Sequence, residues 1–96
     1  LSTKLEEKNM EKRIGSVIIV ISDREQAPHV NGIISRHSEI VIGRLGLPRH
    51  DGMNIISLVL EGTTDEIGAL TGQLGNLEGV EVKSALLKDL KPGLKR

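Results

Sequence analysis

The side chains able to do chemistry are few and widely spaced. There are three histidines, His29, His37 and His50, and no cysteine. Two histidines share a metal on a helix when they stand one turn apart, at i and i+4. His29 and His37 are eight positions apart and point to different sides of a helix, and His50 falls in a turn. With no thiolate and no acidic residue at ligand spacing, the reading within one chain is no metal site, although ligands shared between subunits stay open. No Ser–His–Asp spacing, P-loop or dinucleotide glycine pattern is present. The glycines of GQLGNLEG, residues 72–79, sit at a helix end instead of in a strand-to-helix loop, so they form no phosphate cradle. With no nucleophile or general base to nominate, the chain reads as a non-enzyme, and any cofactor stays unassigned.

What remains is binding chemistry. Asp23, Arg24 and Gln26 follow directly on an apolar strand, and Arg44 comes from the next strand. These four are the expected ligand-binding residues, in a site completed by a neighbouring subunit. Asp23 has a simpler reading as a helix cap. Asp23 with Gln26, and Ser22 with Glu25, both have capping-box spacing. Arg44, Arg49 and His50 gather near one hairpin, where they would hold an anion or form a solvated surface.

Composition narrows the classes. Thirteen basic and thirteen acidic residues cancel in a chain of 96 residues. A neutral chain lacks the field that draws proteins onto nucleic acid or anionic membranes. Phe, Tyr and Trp are absent, so bases have no aromatic platform to stack on. No apolar run approaches the length of a membrane-spanning helix. A soluble cytoplasmic protein is the expectation, with no direct nucleic-acid or membrane partner.

The elements that must position these residues read in order. Residues 1–12 are mostly charged and read as a flexible tail or short helix. Arg13 to Ser22 holds Val17 to Ile21 in an unbroken branched run, a strand apolar on both faces. Ala27, Val30, Ile33, Ile34 and His37 share a helical face, with Pro28 in the first turn. Glu39 to Leu47 reads as a second strand, with Gly43 and Gly46 marking a bulge or a close backbone approach. Asp51-Gly52 supplies a hairpin turn. Ile55 to Leu60 forms a third strand. Thr63 to Glu66 is a capping box, and Ile67, Leu70, Leu74 and Leu77 form an apolar stripe. Gly68, Gly72 and Gly75 lie on one face of that helix. They read first as tight packing on its own sheet, and second as a surface meeting another subunit. Val80 and Val82 alternate with Glu81 and Lys83 in a half-exposed fourth strand. Residues 89–96 read as a loose tail.

The order β-α-β-β-α-β over residues 13–88 gives an α+β, ferredoxin-like sandwich, with strand order 4-1-3-2 and both helices on one face of an antiparallel sheet. The other face would carry branched residues into water, so a homo-oligomer joined through the sheet, a dimer or tetramer, is predicted.

Strand, Asp23-Arg24, helix with Val30, Ile33 and Ile34, then strand resembles an ACT domain. Such modules pair into larger sheets and often bind amino acids at the first strand–helix junction. This chain has Glu25 and Gln26 where such domains place a glycine, which keeps a ligand further from the loop backbone. The segments Gly43 to Pro48, Ile55 to Leu58, Gly62 to Gly75 and Gly79 to Ser84 resemble the family named for regulation of iron-only hydrogenase systems. That family is ACT-like and similar to the C-terminal domain of the nickel-responsive repressor. The resemblance implies the fold, oligomerisation and a regulatory role with a small-molecule effector. It does not carry over the repressor's nickel ligands, since there is no cysteine and the histidines miss the matching strands. The rival reading is an assembly subunit that binds a protein partner and no small ligand. A direct nucleic-acid regulator is the weakest of the three.

Overall fold

A computed structural model describes residues 11–49 and 51–87. Four strands form one antiparallel sheet: β1 (Arg13–Ile21), β2 (Val41–Pro48), β3 (Asn54–Gly62) and β4 (Val80–Leu86). The helices are α1 (Ala27–Arg36) and α2 (Thr64–Gly75), and short 3-10 turns precede α1 (Arg24–Gln26) and β2 (Ser38–Ile40). The order across the sheet is β2-β3-β1-β4, the ferredoxin-like arrangement expected from the pattern.

Alternation along the central strands builds the core. Val17, Ile19 and Ile21 of β1 face the same side as Leu58, Ile56 and Leu60 of β3, and all six are buried. Val30, Ile33 and Ile34 of α1 and Ile67, Leu70 and Leu74 of α2 pack onto that side in the same cluster. Both helices therefore lie on one face. Burying branched and leucine side chains from two layers stabilises each by about 1.5–3 kcal/mol, which lets a core without aromatics close.

Local chemistry explains the boundaries. Thr63 Oγ1 accepts from the Glu66 N–H at 3.1 Å, and Glu66 Oε1 accepts from the Thr63 N–H at 2.8 Å, the expected capping box. The helix ends near Asn76, and Gly79, at φ +76°, turns the chain into β4. The β2–β3 hairpin closes with Arg49 N–H on the Met53 carbonyl and Gly52 N–H on the Arg49 carbonyl.

Three expectations need correction. The segment Ser38–Ile40 is a 3-10 turn, so β2 starts at Val41 and Ile40 joins the core. Gly43 does mark a bulge, between Val41 and Gly43, but Gly46 meets no close backbone. Gly68, Gly72 and Gly75 do not pack on their own sheet: a Cβ added at any of them meets nothing within 4 Å. Their face points away from the Ile67, Leu70 and Leu74 stripe. The expected loose tail at 89–96 and most of the tail at 1–12 lie outside the described residues, as does His50.

Candidate functional site

The first junction is built by hydrogen bonds that reach across the fold. Asp23 caps the 3-10 turn, its Oδ1 accepting from the Glu25 N–H at 3.0 Å. Neither expected capping box forms there. Gln26 Nε2 donates to the Glu78 carbonyl at 2.9 Å, and Gln26 Oε1 lies 3.0 Å from His29 Nδ1. Ser22 Oγ donates to the Gly79 carbonyl at 3.1 Å. Asp23 and Gln26 thus face the loop between α2 and β4. Arg24 is exposed in the 3-10 turn.

Arg44 lies on the other side of α1. The register puts it opposite Leu58, on the helix-bearing side of β2. Its Nη2 donates to Asn31 Oδ1 of α1 at 2.6 Å. Beneath this bridge is an open groove of about 270 Å³, lined by Ile21, Ala27, Asn31, Arg44, Pro48 and Asn54 among others. It exists because β2 is an edge strand that α1 only partly covers, and because Gly46 offers no side chain to fill it. The structure therefore divides the expected four residues: Arg44 lines the groove, while Asp23 and Gln26 hold the junction beside it.

Asn31 and Asn54 are groove residues that the sequence reading did not nominate. Asn31 stands one helical turn after Ala27, and Asn54 two residues before buried Ile56. Those spacings aim both at the same side as the core. The groove can take a small polar ligand: apolar floor, one guanidinium with a fork of donors and two amides. The hairpin cations do not add to it. Arg49 is paired with Asp51 at 3.1 Å. Hydrogen bonds from the Arg49 guanidinium, and then from the Met53 N–H, hold the Asp51 carboxyl below the usual carboxylate range. The same hydrogen bond raises the Arg49 pKa.

A second depression lies between the helices, lined by Arg36, His37, Glu39, Ile40, Asp65 and Glu66. His37 Nε2 lies 3.4 Å from Gln73 Oε1 there. Among the described residues, no three His, Asp or Glu side chains stand close enough to share a metal ion. Among the described residues, no helix is long and apolar enough to cross a membrane.

A four-stranded β2-β3-β1-β4 sheet with two helices on one face is an ACT-like, ferredoxin-like fold. The ACT domain of GTP pyrophosphokinase from Chlorobium tepidum shares this fold, with a TM-score of 0.67 and 20% identity over 78% of this chain and 100% of that one. The C-terminal domain of the MgtC protein from Mycobacterium tuberculosis has a TM-score of 0.62 at 13% identity, covering 96% and 99%. Residues 13–84 match the family model “TM1266-like: Iron-only hydrogenase system regulator, putative”, and the chain belongs to this family. Uncharacterized protein TM1266 from Thermotoga maritima is 45% identical, covers 81% of this chain and 100% of its own, and superposes with a TM-score of 0.76. Comparison with curated proteins yields no match.

Proposed function

We propose that this chain is a ligand-sensing regulatory domain that works as a homo-oligomer within an iron-only hydrogenase system. Its effector is a small carboxylate, of amino-acid size, held in the groove by Arg44. The observation that carries this reading is the 2.6 Å bridge from Arg44 to Asn31 over an apolar floor. A guanidinium has five N–H donors in a planar fork, and one acceptor leaves others to engage a carboxylate. Asp23, Arg24 and Gln26 keep the first turn of α1 in place beside the groove, and a neighbouring subunit closes its open side. The family and the ACT-like fold support regulation over catalysis. The protein is read as a non-enzyme of the cytoplasm, with no direct contact to nucleic acid.

The test is a thermal-shift screen of amino acids, nucleotides and divalent metals, with an external dye because the chain lacks Trp and Tyr. A ligand at a hundred times its dissociation constant adds about 2.7 kcal/mol to the folded state, a shift of several degrees for a small domain. An amino acid or other carboxylate should raise Tm, and Arg44→Gln should abolish the rise. A flat screen overturns the ligand reading.

A second reading, an assembly subunit that binds a protein partner, draws on the outward glycines of α2. Recovery of nothing but the chain itself in a pull-down would count against it.

A further inference from the structure

The groove beside Arg44 is one-sided in its charge. Ile21, Ala27 and Ile56 give it an apolar floor, and its polar side chains are Arg44, Asn31 and Asn54. Among the described residues, no Asp or Glu lines it. Asp51, the acid nearest in sequence to Pro48 and Asn54, is engaged by the Arg49 guanidinium and the Met53 N–H. Glu25, two residues before Ala27, is exposed in the 3-10 turn and does not line the groove. Arg44 forms no ion pair among the described residues, and its partner is the neutral Asn31 amide. The groove therefore offers one uncompensated cation and no anion.

An amino acid at neutral pH brings both a carboxylate and an ammonium. The groove answers only the first. An ammonium presents three N–H donors and no acceptor. The acceptors on the groove's side chains are the oxygens of two amides, and Arg44 already bonds to Asn31 Oδ1 at 2.6 Å. The ammonium would also stand beside a guanidinium of its own sign, and that repulsion grows as water is displaced. We propose that the ligand is a short aliphatic 2-oxo acid, a monocarboxylate with a carbonyl where an amino acid carries its ammonium. This names the effector class of the site described under the proposed function, and rests on that reading.

Three features fit this class. The bond from Arg44 fixes which way the Asn31 amide faces: Oδ1 accepts, so Nδ2 is left as a donor. The remaining guanidinium N–H groups take the carboxylate and Asn31 Nδ2 takes the 2-oxo oxygen, so the ligand's head group is met by donors throughout. A single uncompensated cation selects one carboxylate over two, since Arg49 is held by Asp51. The apolar floor receives the alkyl chain. Its volume of about 270 Å³ falls below the roughly 300–1,000 Å³ of sites for drug-sized ligands, which keeps that chain short.

Isothermal titration calorimetry on the full chain, in an amine-free buffer at neutral pH, tests the proposal with matched pairs. These are pyruvate with L-alanine, 3-methyl-2-oxobutanoate with L-valine, and 4-methyl-2-oxopentanoate with L-leucine. The members of a pair share carboxylate and side chain and differ in the oxo or ammonium group. At least one oxo acid should bind, about tenfold or more tighter than its amino acid. Arg44→Gln should abolish that binding. Asn31→Asp, of the same shape, sets a carboxylate against Arg44 and should erase or reverse the preference. Both residues are exposed, and far-UV circular dichroism like the wild type's shows that the variants fold. An amino acid that binds as tightly as its oxo acid, or a preference unchanged in Asn31→Asp, overturns the 2-oxo acid and leaves the small-carboxylate reading standing. Binding that survives Arg44→Gln, or no binding by any of the six acids, overturns both.

Discussion

The two strand–helix junctions do the same topological work by different means. From β3 into α2, the chain caps itself: Thr63 and Glu66 exchange hydrogen bonds of 3.1 and 2.8 Å within four residues. From β1 into α1, it passes through a 3-10 turn, and no side chain caps α1. Ser22 and Gln26 there bond instead to the carbonyls of Gly79 and Glu78, more than fifty residues away. The second junction is held within its own sequence, whereas the first adds to the local Asp23 cap two bonds to the loop after α2. A site built beside the first junction is therefore sensitive to packing elsewhere in the domain, while α2 serves as its fixed reference.

The largest test breaks the reference. Leu70 of α2 is fully buried against the sheet. Leu70→Ala removes packing and leaves a cavity, and should cost about 2–5 kcal/mol, read as a lower urea midpoint at unchanged slope. Because the loop that holds the first junction hangs from α2, resonances of Ser22 and Gln26 should shift with it. Stability lost without change at those residues would show that the two junctions are independent.

Gly79→Ala strikes the tertiary link directly. The residue sits at φ +76°, and an added Cβ would stand 2.7 Å from the Asp23 Cβ. Left-handed backbone costs a residue with a side chain about 1–2 kcal/mol, and the clash adds to it. A loss of about 2 kcal/mol or more is expected in chemical denaturation. The groove beside Arg44 should change with it, seen as altered amide exchange at Ala27. A neutral Gly79→Ala would mean that Asp23 moves freely and the first junction is not held from this loop.

The same contrast explains what was legible in the sequence. The capping box, the stripe of Ile67, Leu70 and Leu74, and the strand alternation are short-range patterns, so the fold and its order could be read directly. Glu39 and Ile40 read as the start of the second strand because Ile40, Val41 and Ile42 look like one apolar run. The 3-10 hydrogen bonds from Ile40 N–H to the His37 carbonyl and from Val41 N–H to the Ser38 carbonyl, together with the burial of Ile40, separate this turn from the strand. At the site, Arg44 was readable as a cation near a hairpin, but its partner Asn31 comes from another element. The nomination of Asp23 and Gln26 with Arg44 followed chain proximity, while α1 stands between them. The glycines of α2 read first as packing on their own sheet and second as a surface meeting another subunit, because composition alone does not say which way a helix face turns.

Thr63→Ala sharpens the contrast from the local side. Loss of the cap leaves the Glu66 N–H without its partner and should cost about 1 kcal/mol. The effect should stay within α2: faster amide exchange in its first turn, with Ser22 and Gln26 unmoved. Propagation of the change to α1 would show that the second junction depends on its surroundings as the first does.

The smallest effect carries the opposite sign. Gly72 is exposed on α2, and an added Cβ would meet nothing within 4 Å. Glycine in a helix interior costs roughly 1 kcal/mol against alanine, largely through the freedom of the unfolded chain. Gly72→Ala should therefore stabilise the isolated chain by up to about 1 kcal/mol in urea melts. Its neighbours Gly68 and Gly75 on the same face stand in equally open space, so α2 accepts three such costs with no contact of its own fold to offset them. A full gain at every protein concentration means that the face meets solvent and that α2 is a reference element and nothing more. A gain that shrinks or reverses as concentration rises means that another copy lays its backbone on these glycines, which would give α2 an interface role besides its structural one.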